Sequence, residues 1–299
     1  MSAMTKPFQG KNATQLKGTI ATYLWQWQDQ SITATYETLG TGQPILLLPA
    51  FSTVSSRTEL ATLANHLADQ YQVTILDWPG FGDSDRLRLP YGPTLYQQFL
   101  RDFVAAQFSQ PIPVIAAGHA SGYALAMAPA WSKIALVAPT WKGPLAAMGA
   151  PDTLRSGMRE LVRTPLIGSF LYWLNTRPSF LRWMYRRHVF VDETQLTPDY
   201  IAQRYQGTQQ TGARYAPAAF VTGGLDPVST REAFLAYFQS LTVPVMVVVG
   251  ENAPPSSKAE MEAMAALPQV QSVALPGTLG MAEEYGQDVA KTVLAFLQR

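Results

Sequence analysis

Pro113-Val114-Ile115-Ala116-Ala117-Gly118-His119-Ala120-Ser121-Gly122-Tyr123-Ala124-Leu125-Ala126-Met127-Ala128 holds a strand, a turn and a helix in succession. The apolar run up to Ala117 reads as a short buried strand, and Tyr123 to Ala128 reads as a helix. Gly118 and Gly122 frame the turn between them, centred on Ala120. Glycine suits both positions because the chain reverses sharply and two backbones crowd there. Such a turn presents its central side chain at the end of a sheet. Ala120 offers only a methyl group, which can neither attack a carbonyl nor be activated by a base.

Other stretches repeat the strand pattern. Pro44-Ile45-Leu46-Leu47-Leu48-Pro49-Ala50-Phe51 is an apolar strand entering a loop. Val73-Thr74-Ile75-Leu76 leads into Asp77-Trp78-Pro79-Gly80-Phe81-Gly82-Asp83-Ser84, an Asp-x-x-Gly-x-Gly-x-Ser turn. Val243 to Gly250 is a further buried strand, and Leu275-Pro276-Gly277-Thr278-Leu279-Gly280 a further loop. With these stretches in this order, the chain resembles the α/β-hydrolase fold superfamily over nearly its whole length. The turn at Ala120 is similar to the family's nucleophile elbow. The resemblance implies an α/β fold: a mostly parallel eight-stranded sheet with helices on both faces and an inserted helical cap.

The departures from the family form a consistent set. The resemblance puts the nucleophile at Ala120, the triad acid at Ala253 and the triad histidine at Gly280, so all three positions are vacated. The His-Gly pair that usually opens the oxyanion loop is Pro49-Ala50. A serine engineered out of position 120 would account for Ala120 alone, not for Ala253 or Gly280. In the family, the N–H after the nucleophile and one from the early loop form the oxyanion hole. The counterparts expected here are Ser121 and Phe51.

Composition narrows the alternatives. Apolar residues make up 47% of 299 and charged residues only 14%, against about 25% charged in ordinary globular domains. A net charge of +1 gives no reason to expect a nucleic-acid partner. The absence of cysteine excludes disulfides, thiolate metal sites and cysteine nucleophiles. The three histidines, His66, His119 and His188, show no metal-ligand spacing, and no cofactor is expected. The start, Met1 to Pro7, lacks the apolar core of a secretory signal, so a cytoplasmic protein is expected.

Ile20–Trp27 and Ile32–Tyr36 alternate as an edge hairpin does, with the turn expected near Asp29-Gln30-Ser31. Helices are expected over about Thr58–Asp69, Leu95–Phe108 and Glu283–Leu297. The division expected is a core over 1–150, a cap over 151–215 and the rest of the core over 216–299. Residues 151–214 hold nine Arg, no Lys and five acidic residues. Seven aromatics lie between Phe170 and Phe190, Trp173 and Trp183 among them. Arg155, Arg159 and Arg163 recur at helical spacing and share one face. Arg177-Pro178-Ser179-Phe180-Leu181-Arg182, with Phe220-Val221-Thr222-Gly223-Gly224-Leu225-Asp226-Pro227 downstream, resembles the hydrolase branch of photosynthetic organisms.

Three functions fit these residues. The first is an inactive hydrolase-like protein that binds an apolar small molecule or a protein partner through the old pocket and cap. Phe51, His119, Ala120, Ser121, Trp173 and Trp183 would line it. The second is an esterase-like hydrolase with a displaced or engineered-out serine. The third is a peripheral membrane or assembly factor whose basic aromatic cap meets phospholipid headgroups. His119 is expected to pack as a structural residue, and Asp226 and Asp77 to hold local turns.

Overall fold

The computed structural model describes residues 15–299. Eight strands form one sheet: β1 (Thr19–Trp27), β2 (Gln30–Leu39), β3 (Gln43–Leu48), β4 (Tyr71–Leu76), β5 (Ile112–Ala117), β6 (Trp131–Val137), β7 (Val245–Gly250) and β8 (Val270–Leu275). Their spatial order is β1-β2-β4-β3-β5-β6-β7-β8. The β1–β2 and β2–β4 pairs are antiparallel and the other five pairs parallel. Leu46, Leu47 and Leu48 of β3 are fully buried, as are the last residues of β5 and β6. Continuous apolar runs of this kind belong to parallel strands covered by helices on both faces. β1, at the sheet edge, instead alternates exposed residues with half-buried ones and the buried Trp25.

The sheet places the elbow. From β3 the order runs one way to β4 and the other way to β5, a topological switch point where a crevice opens at the carboxyl ends of the strands. The loops after β3 and β5 meet there. The helix Pro93–Gln107 covers the sheet nearby, with proline at its first turn and Leu95, Tyr96, Phe99, Leu100 and Phe103 buried.

Three boundaries differ from expectation. The hairpin turn is Gln28-Asp29, with Trp27 opposite Gln30. The expected 58–69 helix splits into a tight turn, Arg57–Leu60, and the helix Ala61–Leu67. The last helix breaks at Tyr285 into Met281–Glu284 and Gly286–Leu297. Within the insertion, helices cover Asp152–Arg163, Leu166–Thr176, Pro178–Met184 and Pro198–Thr208, with a wide helical turn at Tyr185–Val189.

Candidate functional site

The elbow's apex is not where the glycine spacing put it. Gly118 carries the left-handed conformation, with φ +50°. His119 is already right-handed (φ −68°, ψ −20°) and Ala120 opens the helix Ala120–Ala126. The frame around the apex is therefore Ala116-Ala117-Gly118-His119-Ala120, with alanine rather than glycine as the small flanking residue. A Cβ at Gly118 would lie 2.9 Å from the Ala50 Cβ, so glycine serves both the turn and the close approach of the β3 loop. Ala120 is fully buried one step inside the helix.

Ser121 likewise plays a different part. Its N–H donates to the Gly118 carbonyl at 3.2 Å and so does not face a ligand. The Gly118 carbonyl also accepts from Thr140 N–H at 3.1 Å. The Ser121 hydroxyl is buried, 3.4 Å from the Ala116 carbonyl.

Phe51 fills the space before the elbow. Its ring stacks on Trp78 at 4.9 Å and meets Tyr96, Tyr123 and His119 at 4.9, 5.4 and 6.1 Å. Trp78 anchors the same loop by donating its indole N–H to the Pro49 carbonyl at 2.9 Å. His119 is held from the far side. Its Nε2 donates to the Leu225 carbonyl at 2.9 Å, and the Tyr123 hydroxyl donates to that carbonyl at 2.7 Å. A carbonyl only accepts, so the proton sits on Nε2 and Nδ1 is left as a buried acceptor with no partner among the described residues. Burial pushes the imidazole down to about 4, against a smaller opposing effect of the Leu225 bond. The Asp226 carboxylate, 3.5 Å from Nε2, therefore faces a neutral ring rather than a cation.

Asp226 is a local residue with a wider reach than its turn. It accepts the Gly143 N–H at 2.7 Å. Burial raises it to about 7, while the Gly143 bond, Arg155, Arg159 and Lys142 pull the other way. Arg155 and Arg159 both reach Thr222, and Arg163 reaches the Leu89 carbonyl. The evenly spaced arginines thus turn inward and stitch the cap to the core. Gly224 leaves room for this: a Cβ there would lie 2.5 Å from the Arg159 guanidinium carbon. Asp77 accepts the N–H groups of Arg57 and Asp83 and pairs with the Arg57 guanidinium, more than a turn-holding role.

The two positions expected to hold the acid and the histidine are closed. Gly280 N–H donates to the Val189 carbonyl at 3.1 Å, and the Thr278 hydroxyl donates to it as well. A Cβ at Gly280 would lie 2.4 Å from Val189 Cγ1. A cap residue occupies the room that a histidine side chain needs. Ala253 is 7% exposed, and its loop is tied to the next by Asn252 N–H donating to Gly277 at 3.0 Å.

Sequence reasoning missed the ionic clamp beside this contact. Arg204 of the cap lies between Glu283, with which it is hydrogen-bonded, and Glu59 at 3.7 Å. Tyr200 also donates to Glu283, at 3.0 Å. Burial raises Glu59 to about 8 and raises Glu283 too, in both cases against the pull of Arg204. The residues are far apart in sequence and belong to no shared motif, so only the fold brings them together.

The six expected pocket residues separate into two groups. Phe51, His119, Ala120 and Ser121 are buried together, whereas Trp173 and Trp183 stand on the cap surface at 44% and 51% exposure. Two surface cavities among the described residues lie away from the buried group. One, of about 50 Å³, is lined by Trp141, Lys142, Ser256 and Glu260; the other, of about 160 Å³, lies in the cap between Tyr172, Trp173 and Arg214. No three His, Asp or Glu side chains among the described residues are grouped to hold a metal ion.

The model of the "Alpha/beta hydrolase family" matches residues 45–291, most of the chain. The chain belongs to the α/β-hydrolase family. No curated protein matches it. This α/β-hydrolase is similar to a thermophilic esterase from Thermogutta terrifontis: TM-score 0.70, 20% identity, 94% of this chain and 98% of that one covered. It is also similar to the Cif epoxide hydrolase from Acinetobacter nosocomialis, with TM-score 0.72, 17% identity and 95% and 90% covered. A probable hydrolytic enzyme from Pseudomonas aeruginosa PAO1 gives 0.71 and 17%, with 95% and 96% covered. At these identities the likeness establishes the fold alone.

Proposed function

We propose that this α/β-hydrolase is a non-hydrolytic member of its family that acts by binding, with the cap as its working part. Val189 seated against Gly280 carries the reading, because it puts a cap residue where the catalytic base would stand. Gly118, Ala120, Ala253 and Gly280 supply no nucleophile, acid or base. Phe51, Tyr96 and Tyr123 crowd the elbow, and a cavity of about 160 Å³ lies in the cap. Triad members act as a unit, so their joint loss leaves at most roughly 10³–10⁴-fold acceleration over water. Binding therefore passes from the old pocket to the cap.

The test is incubation with a fluorophosphonate probe and with short-chain nitrophenyl esters. The expected result is no labelled serine and no turnover above that residual level. Stoichiometric labelling of one serine would favour hydrolysis by a displaced nucleophile instead.

A further inference from the structure

The helix Asp152–Arg163 is amphipathic in an unusual sense. Its inward face is basic, since Arg155, Arg159 and Arg163 bond core carbonyls. Its outward side carries an apolar stripe: Leu154, Met158 and Leu161 follow at spacings of four and three and are 54%, 39% and 40% exposed, while the exposed Asp152 and Glu160 are each paired with an arginine of the same helix, Arg155 and Arg163. The next helix, Leu166–Thr176, continues the pattern. Leu166, Ile167, Phe170 and Trp173 share one face and are 86%, 55%, 57% and 44% exposed. Seven large apolar side chains on two consecutive, mutually packed helices face solvent. Soluble proteins rarely leave apolar residues so grouped unless the surface is used.

The charge around this ridge says what covers it. From Thr164 to Val191 the sequence contains Arg177, Arg182, Arg186 and Arg187 and no acidic residue. All four arginines are exposed. Arg186 pairs with Glu193, whereas Arg182 and Arg187 pair with no carboxylate among the described residues. Arg177 lies over the Trp173 ring at 5.2 Å, and Trp183 stands exposed beside Arg182. Tryptophan and arginine together are the side chains that settle at the level of lipid headgroups. A second copy of this chain would set like charges against each other, which disfavours self-association here.

We infer that the outer face of the cap docks on an anionic lipid surface. Leu154, Met158, Leu166 and Phe170 enter the acyl boundary, while Arg177, Arg182 and Arg187 meet the phosphates. The helices lie in the plane of the interface, for an eleven-residue helix is about 16 Å long, and no helix among the described residues is long and apolar enough to cross a membrane. The inference rests on the reading of the cap as the working part and names its partner.

The experiment is co-sedimentation of the full chain with phosphatidylglycerol–phosphatidylcholine vesicles and with phosphatidylcholine alone, across salt concentrations. Binding is expected to the anionic vesicles and to weaken as salt rises. The double change Arg182→Gln, Arg187→Gln should weaken it roughly thirtyfold, at one headgroup contact per arginine. Leu166→Glu with Phe170→Glu, both at exposed positions, should abolish it while circular dichroism stays unchanged. Equal binding to neutral vesicles, or binding unaffected by both variants, would overturn the inference. So would failure to bind anionic vesicles, including the case where the wild-type chain self-associates through this face. Fatty acid released by the protein during the assay would overturn the non-hydrolytic reading and leave the docking result standing.

Discussion

The Val189 carbonyl accepts hydrogen bonds from Gly280 N–H and the Thr278 hydroxyl, so one cap residue is bolted onto the loop that would present the catalytic histidine. A side chain at position 280 must displace Val189 or the whole turn Tyr185–Val189. Gly280→His should therefore loosen the cap rather than rebuild a base. Overpacking of this kind costs about 1–3 kcal/mol. Urea unfolding should show a lower midpoint, and trypsin should cut the arginine-rich cap sooner. Wild-type stability with esterase activity would refute this account.

Ala120→Ser should give a folded, inactive protein. The new hydroxyl would sit in the first turn of a buried helix, away from the positive-φ apex, with no general base near it. Serine at the apex fares worse. Gly118→Ser sets a Cβ 2.9 Å from the Ala50 Cβ and forces an L-residue into the left-handed region, which alone costs about 1–2 kcal/mol. Ester hydrolysis measured for both variants, alongside thermal unfolding, checks the pair. Turnover by Ala120→Ser would mean that His119 Nδ1, buried and unpartnered, can reach position 120 as a base.

How much of this was legible beforehand differs from residue to residue. The central strands were plain because Leu46–Leu48 and Val114–Ala117 are uninterrupted apolar runs bounded by Pro and Gly. The Asp77–Ser84 motif was equally plain, since it follows a strand whose end is marked. The apex was misplaced by two residues because Gly118-x-Ala120-x-Gly122 and Ala116-x-Gly118-x-Ala120 are both small-x-centre-x-small frames. Only the backbone angle chooses between them. The aromatic packing at the elbow was hidden for another reason: Phe51, Tyr96 and Tyr123 lie far apart in sequence, and nothing local reports their contact. The inward turn of Arg155 and Arg159 depended on Thr222 and the glycines after it, more than 60 residues downstream.

Stability should fall as pH rises from about 6.5 to 8. Glu59 is raised by burial to about 8 and Asp226 to about 7, so each holds its proton more tightly folded than unfolded. Stability from such groups is complete below their unfolded values and lost as pH climbs through the folded ones. His119, lowered to about 4, acts oppositely: its contribution is present above about 6.5 and is lost as pH falls toward 4. The carboxyls alone govern the alkaline limb. Glu59→Gln keeps the neutral hydrogen-bonding shape and should flatten that limb in denaturant titrations at several pH values. An unchanged slope would show that Glu59 is ionised throughout and fully balanced by Arg204.

The clamp offers a sharper contrast between a single and a triple variant. Arg204→Met leaves Glu59 and Glu283 facing each other without a cation, in a site where Arg204 is 8% exposed and the two glutamates 12% and 19%. Removing one partner of a buried ionic group typically costs about 3–5 kcal/mol, because the remaining charge is stranded. Burial already raises both glutamates, so part of that cost will be met by protonation, and the loss should be larger at pH 8 than at pH 5. Adding Glu59→Gln and Glu283→Gln to Arg204→Met removes the stranded charges and should recover much of the stability. The measurement is the free energy of unfolding of the three proteins at both pH values. A triple variant no more stable than Arg204→Met would mean that Arg204 acts through packing against the Tyr200 ring, 5.0 Å away, and not through its charge.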